Sequence, residues 1–420
     1  MKYCLFLCFA LWINGLYAQY EGPIQPPSSG YGSDGNFAVE STHLRNDHYL
    51  TKDISVFYPK GTSQPKPTIF FSHGYGANDT TIYRETLYNL ASNGYVVVFV
   101  PYKTIGATIP ERYQTLYDGF AKAARNLPQL IDTNQVGFYG HSFGGGATPR
   151  ISYRHFTENN WGTTARFIYC SAPWYSFELG TSDLDNFPKD CRMLMVLYDD
   201  DDVNDHRMGM DIFNNIAIDD SLKDCILVYS DSVSNYVYNA DHNLPGQYTT
   251  KAVFNAHDYL VSFRFLNAMA DYTFTGNPIA KDIALGGGST AQTDIHPQLT
   301  PLSQSDQPSP VHSQSKYRNP CDTIINERRS FCQTILEVKG EESYDNAVRV
   351  HPNPTHGLLK ITPNQNHQSM KASIVSLTGE VLLVVRNEKV IDLTELPAGL
   401  YVLVLDIDQR RTTQKVLKVE

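Results

Sequence analysis

The sequence predicts an α/β protein, a doubly wound and mostly parallel sheet followed by a small C-terminal β-sandwich. Two patterns carry this reading. From Ile54 to about Thr275, short β-rich runs alternate with longer helical segments, and parallel neighbours need such crossover connections. After Asn346 the pattern is purely β. The chain has 420 residues, of which 41% are hydrophobic and 12% aromatic, so it can bury enough apolar surface to offset its ordering entropy.

In chain order, Lys2 precedes an apolar run from Cys4 to Leu16 and the small residue Ala18, which reads as a signal peptide over residues 1–18. That run is shorter than the ~20 residues a membrane-spanning helix needs, and no later stretch qualifies. The first folded domain is expected over residues 19–283. Its strands fall at Ile54–Tyr58, Thr68–Ser72, Tyr95–Pro101, Val136–Tyr139, Arg166–Cys170, Met193–Tyr198 and Cys225–Ser230, several of them solidly apolar as strands covered on both faces should be. Amphipathic helices fall at Thr80–Ser92, Pro110–Leu127, Gly145–His155, Val203–Ile216 and near Val253–Tyr272. Residues 284–345, with Gly286-Gly287-Gly288 and Pro297, Pro301, Pro308 and Pro310, lack periodicity and read as a linker or an extended appendage. Strands separated by turn clusters fill residues 346–420.

Charge and cysteines narrow the setting. Lys plus Arg number 34 against 44 Asp plus Glu, a net charge of -10, so no global field recruits phosphate backbones and nucleic acid is not an expected partner. Removal of the leader leaves Cys170, Cys191, Cys225, Cys321 and Cys332. Cys321 and Cys332 lie close together where secondary-structure signals are poor, and an oxidising compartment would let a bridge between them persist. Cys191 and Cys225 each begin a strand-like run, and either pair or stay reduced and buried.

The chemistry concentrates at Gly140-His141-Ser142-Phe143-Gly144-Gly145, where a strand stops and a helix begins. A nucleophile elbow needs small residues two before and two after the serine, because the strand-to-helix turn leaves no room for side chains there. Gly140 and Gly144 meet that need. The amide of Phe143 then becomes one donor to an oxyanion, and the turn His73-Gly74-Tyr75-Gly76-Ala77 supplies the second through the amide of Tyr75. Serine needs a base and an acid to orient that base, and in this arrangement the chain order is serine, acid, histidine. The acid is sought in Asp199-Asp200-Asp201-Asp202 and the base at His242; His257 is the rival base, placed where a helix should begin among Phe254, Tyr259 and Leu260. The four aspartates, with Asp205, also read as a solvated acidic turn or a loose oxygen-ligand cation site. No metal is assigned and the proposed chemistry requires no cofactor.

These motifs resemble the α/β-hydrolase fold, and more closely its chlorophyllase-like and polyester-hydrolase (cutinase-like) branch, over roughly residues 40–275. The resemblance overlays the family's strand-end acid motif on Tyr198-Asp199-Asp200-Asp201-Asp202, which selects Asp202, and its histidine motif on Asp241-His242-Asn243-Leu244-Pro245. It implies a substrate site with Gly74, Tyr75 and Trp174, the indole after Pro173 walling an aromatic acyl group; the other reading of Trp174 is a core residue. Two departures concern polyester specificity: His141 stands where polyester hydrolases usually carry tryptophan, and Asp241 where they carry serine.

The tail is similar to something else. Val350-His351-Pro352-Asn353-Pro354-Thr355, Leu377-Thr378-Gly379, Leu396-Pro397-Ala398-Gly399-Leu400-Tyr401 and Lys415-Val416-Leu417 resemble, in this order, the C-terminal sorting domain of type IX secretion. That resemblance implies passage through the periplasm and across the outer membrane, with the secretion machinery as partner. The expectation is an exported serine hydrolase of carboxylic esters, small or polymeric, working through Ser142, His242 and Asp202. A peptidase or amidase on the same fold, and an inactive surface-binding protein, are the alternatives.

Overall fold

The computed structural model describes residues 19–249, 251–336, 348–363, 370–376, 381–407 and 410–419; the leader expected over residues 1–18 lies outside them. The chain forms two units, divided between Leu336 and Glu337.

The first unit is built on a nine-stranded mixed sheet. Its strands are β1 (Val39–Leu44), β2 (Ile54–Pro59), β3 (Lys66–Ser72), β4 (Val96–Phe99), β5 (Ile131–His141), β6 (Ala165–Ser171), β7 (Arg192–Tyr198), β8 (Lys223–Val228) and, after a short hairpin of β9 (Asp231–Val233) and β10 (Tyr236–Tyr238), β11 (Ser303–Ser305). The order across the sheet is β1-β2-β4-β3-β5-β6-β7-β8-β11. The stretch from β4 to β8 is parallel throughout, and antiparallel strands close both edges.

The period of two along each strand sorts apolar side chains into two cores. Phe70, Val96 and Val98 enter one, while Ile69, Phe71, Val97 and Phe99 enter the other. The helices are α1 (Arg84–Ser92), α2 (Ile109–Asn126), α3 (Phe143–Glu158), α4 (Thr181–Asp185), α5 (Arg207–Asn215), α6 (Arg264–Thr275), α7 (Pro278–Ala284), α8 (Thr290–Thr293) and α9 (Arg329–Leu336). Phe120 of α2, Ala147 of α3 and Ile212 of α5 cover the first face; Leu87 of α1 and Leu266 and Met269 of α6 cover the second. The doubly wound, mostly parallel sheet expected from the alternation is the one found.

Residues 284–336, expected as a linker or an extended appendage, pack as part of the first unit. β11 extends the sheet beside β8, and the buried Asp224 carboxylate accepts from the Gly287 amide, Gln292 Nε2 and Gln304 Nε2. Cys321 and Cys332 form the expected disulfide, with both residues fully buried. Arg328 makes two hydrogen bonds to Asp211 on α5, at 2.6 and 2.9 Å. Cys191 and Cys225 are free and buried, although β7 and β8 do pair, because the register sets Cys225 opposite Met195, four residues beyond Cys191.

The second unit has a three-stranded antiparallel sheet, β12 (Val348–His351), β13 (Leu358–Pro363) and β16 (Val390–Asp392), and a four-stranded one, β14 (Met370–Val375), β15 (Val381–Arg386), β17 (Gly399–Ile407) and β18 (Arg410–Lys418). Leu359, Ile361, Ile374, Leu403, Leu405 and Val416 share one core between them, a β-sandwich-like arrangement. The Leu377-Thr378-Gly379 block lies outside the described residues.

Candidate active site

β5 ends at His141 and α3 begins at Phe143, so Ser142 occupies a one-residue turn with φ 55° and ψ -119°, a conformation an L-residue adopts only under constraint. The flanking glycines permit that turn. A Cβ at Gly140 would collide with the Gly144 carbonyl oxygen and Thr148 Oγ1, and one at Gly144 with the Ser72 carbonyl oxygen. The Ser142 amide donates to Ser171 O at 2.9 Å, and its carbonyl accepts from the amides of Gly146 and Trp174 at 3.0 and 2.8 Å. Phe143, the first helical residue, has an amide with no intrahelical acceptor.

Ser142 Oγ lies 2.9 Å from His242 Nε2, and His242 Nδ1 lies 2.8 Å from Asp201 Oδ2. All three residues are buried. With the proton on Nδ1 donated to the carboxylate, Nε2 is left to accept from the serine hydroxyl. His257, the rival base, lies elsewhere: it is buried, with Nδ1 3.2 Å from Asn239 O.

The acid facing His242 is Asp201, and the selection of Asp202 is corrected by one position. Asp202's side chain is 63% exposed and pairs with Arg318 at 2.8 Å. Asp201 is 1% exposed because the chain turns after β7, its amide donating to Tyr198 O at 3.0 Å, which carries the carboxylate back over the sheet edge. Burial pushes its pKa up, but the bond from His242 and the amides of Asn204 and Val203, at 3.0 and 2.7 Å, outweigh it and hold the carboxyl below its ordinary range. In a run of four identical residues nothing distinguishes a frame from its neighbour, so the motif overlay had no internal check.

Several neighbours of this group escaped sequence reasoning. Asn204 Nδ2 donates to Ala172 O at 3.0 Å and lies 3.4 Å from Ser142 Oγ. Beyond it, a wall formed by residues 312–332 backs the acid turn. The amides of Arg318 and Asn319 donate to the carbonyls of Asp202 and Val203 at 2.8 Å each, the Cys321 amide donates to Asp205 Oδ2 at 3.1 Å, His312 bonds Asp199 at 2.8 Å, and Lys316 Nζ reaches Asp199 O. At the acid turn Asp199, Asp201, Asp202 and Asp205 each have a protein partner. Among the described residues no group of three or more His, Cys, Asp or Glu side chains is arranged to hold a metal ion.

A cavity of about 330 Å³ opens onto Ser142 and His242, lined also by Gly74, Tyr75, Gly76 and Lys251. Tyr75 is exposed at its mouth, and Arg112 stands over both the Tyr75 and Phe143 rings. Trp174 does not line this cavity. It is half-buried, with ring centroids 5.7 Å from Phe143 and 4.7 Å from Tyr175.

Among the described residues no helix is long and apolar enough to cross a membrane. No curated protein matches the chain. Residues 349–419 match the secretion system C-terminal sorting domain. That domain marks proteins exported by type IX secretion, so the chain is destined for the cell surface or the outside, and its second unit engages the secretion machinery.

Proposed function

We propose that the chain is an exported serine hydrolase that cleaves carboxylic esters through an acyl-enzyme, and that its first unit is an α/β-hydrolase domain. The observation carrying this reading is the unbroken hydrogen-bonded series Asp201, His242, Ser142, with the serine held on a strained strand-to-helix turn. The chain order serine, acid, histidine supports the same domain assignment. His242 Nε2 takes the Ser142 proton as Oγ attacks the ester carbonyl, and the amides of Phe143 and Tyr75 receive the oxyanion. The protonated imidazole then gives its proton to the departing alcohol, and water repeats the sequence to release the acid. Asp201 keeps the imidazole in its working tautomer and balances the imidazolium charge. Gly74 and Tyr75 shape the cavity beside the serine, and Trp174 packs its ring against Phe143. The resemblance to esterases sets the substrate class.

Incubation of the full chain with a fluorophosphonate, alongside turnover of a nitrophenyl ester and an aminoacyl anilide, tests this. Labelling at Ser142 and preferential ester turnover are expected, both lost in Ser142→Ala. An unlabelled wild type, or a Ser142→Ala chain that still hydrolyses, refutes the mechanism; faster anilide turnover moves the assignment to an amidase.

A further inference from the structure

We infer that Tyr83 and His141 form a positioning strut that ties the turn carrying Gly74 and Tyr75 to the main chain of His242, and so sets the distance between His242 Nε2 and Ser142 Oγ. The inference rests on the hydrolase reading above and assigns two residues that this reading leaves unused. Three hydrogen bonds in series make the strut: Gly74 N to Tyr83 Oη at 3.0 Å, Tyr83 Oη to His141 Nδ1 at 2.8 Å, and His141 Nε2 to His242 O at 2.9 Å.

The direction of every bond is forced. An amide N–H can only donate, so Tyr83 Oη accepts from Gly74 N, and its own proton goes to His141 Nδ1 once the ring's proton is fixed on Nε2. The His242 carbonyl oxygen can only accept, which fixes the neutral ring's single proton on Nε2 and leaves Nδ1 to accept from Tyr83. A charged imidazole would carry a proton on Nδ1 and reverse the middle bond, leaving the Tyr83 hydroxyl proton without this acceptor. Burial, and after it the nearby His242, hold His141 down to about 3, so the ring stays neutral wherever an esterase works. Tyr83 and His141 are both buried, and a Cβ at Gly74 would meet His141 Nδ1 and Tyr83 Oη at 3.1 Å each, so the turn lies directly against the strut.

The mechanical consequence concerns the base. His242 is held at its ring by Asp201 and at its carbonyl by His141, and loss of the second hold lets the ring swing about the first. The turn bearing one oxyanion amide keeps its bond from Gly74 to Tyr83 but is uncoupled from His242 at the same time. Both strut residues line the cavity that opens onto Ser142 without bonding to Ser142 Oγ or His242 Nε2, so the loss should fall mainly on the chemical step.

The test compares His141→Leu, His141→Gln and Tyr83→Phe with wild type in the full chain, reading kcat, KM, fluorophosphonate labelling rate and melting temperature. His141→Leu should lower kcat and labelling about tenfold to a hundredfold, the scale of a small misplacement of catalytic groups and a larger factor than its change in KM. His141→Gln places an amide nitrogen near the former Nε2 and should recover much of that loss. Tyr83→Phe keeps the ring packing and removes only the hydroxyl; it should lower kcat in the same sense, and decides the matter if the His141 variants fail to fold. Folded variants with wild-type kcat and labelling rate, or a Gln variant no better than Leu, overturn the strut. A wild type that does not label overturns the hydrolase reading itself, which keeps the two failures apart.

Discussion

At the end of β7 one step along the chain separates a carboxylate sealed against an imidazole from one that faces water. The two are chemically identical, and only the turn after Tyr198 assigns their roles. Asp201→Asn should therefore cut ester turnover on the order of a thousandfold or more, since the amide would leave His242 in the wrong tautomer. Asp202→Asn loses only an exposed pair with Arg318, worth at most ~1 kcal/mol, and should change turnover less than about fivefold. Parallel measurement of kcat/KM for the two variants on one ester checks the assignment, and the reverse ranking would restore Asp202. Ser142, by contrast, was legible from its neighbours: the collisions a side chain would meet at positions 140 and 144 are a property of the turn itself, and they leave a glycine signature. His242 was legible for a related reason, being the histidine in the loop after the strand that follows the acid.

Among the elements, those with their own periodicity were readable and those held by others were not. β3 and β4 are runs of apolar residues because both faces are covered, and α2 shows its buried face through Tyr113, Leu116 and Phe120 at helical spacing. The segment from α7 to α9 carries no such rhythm. Its order comes from partners distant in sequence: the carboxylate of Asp224, the acid turn, and α5. Only its cysteine pair announced it. This makes the Arg328 to Asp211 contact a sensitive point, because both side chains are buried and removal of one leaves the other's charge uncompensated. Arg328→Leu should lower unfolding free energy by about 3–5 kcal/mol, read as a fall in the urea midpoint. Replacement of Cys321 and Cys332 by serine should cost less, about 2–4 kcal/mol. A larger cost for the cysteine pair than for Arg328 would mean that the bridge, and not the ion pair, anchors the wall.

For the whole molecule, buried titratable groups make stability depend on pH in two opposite senses. Burial holds His73 and His141 down to about 3 and His155 well below its ordinary value. Unfolded histidines take up protons near pH 6.5, so each such residue costs stability as pH falls below that value, by about 1.4 kcal/mol per pH unit. Burial pushes Asp258 up to about 8, so its contribution is fully present below about pH 4 and is lost as pH rises towards 8. Relative to wild type, His155→Phe should gain stability from pH 6.5 down to 4, and Asp258→Asn should gain it from pH 4 up to 8. Urea midpoints at three pH values check both signs, and a pH-independent difference in either case would remove that group from the account. The division between units carries a separate expectation. A chain lacking residues 337–420 should keep its ester turnover within about twofold, because every residue of the proposed mechanism lies in the first unit. In a bacterium with type IX secretion it should stay behind the outer membrane, and normal delivery would refute the tail's role as an address.

The wall behind the acid turn also has a meaning in time. A polypeptide is made from its N-terminus, so Ser142, Asp201 and His242 leave the ribosome before Arg318, Asn319 and Cys321, whose main-chain amides hold the turn in which Asp201 sits. A nascent or prematurely ended chain thus owns the full set of reactive side chains while still lacking the backing that sets their spacing. A fragment ending between His242 and Arg318, including one cut at the apparent boundary near residue 284, carries the three residues without these amides, so its ester turnover should fall below that of a chain ending at Leu336.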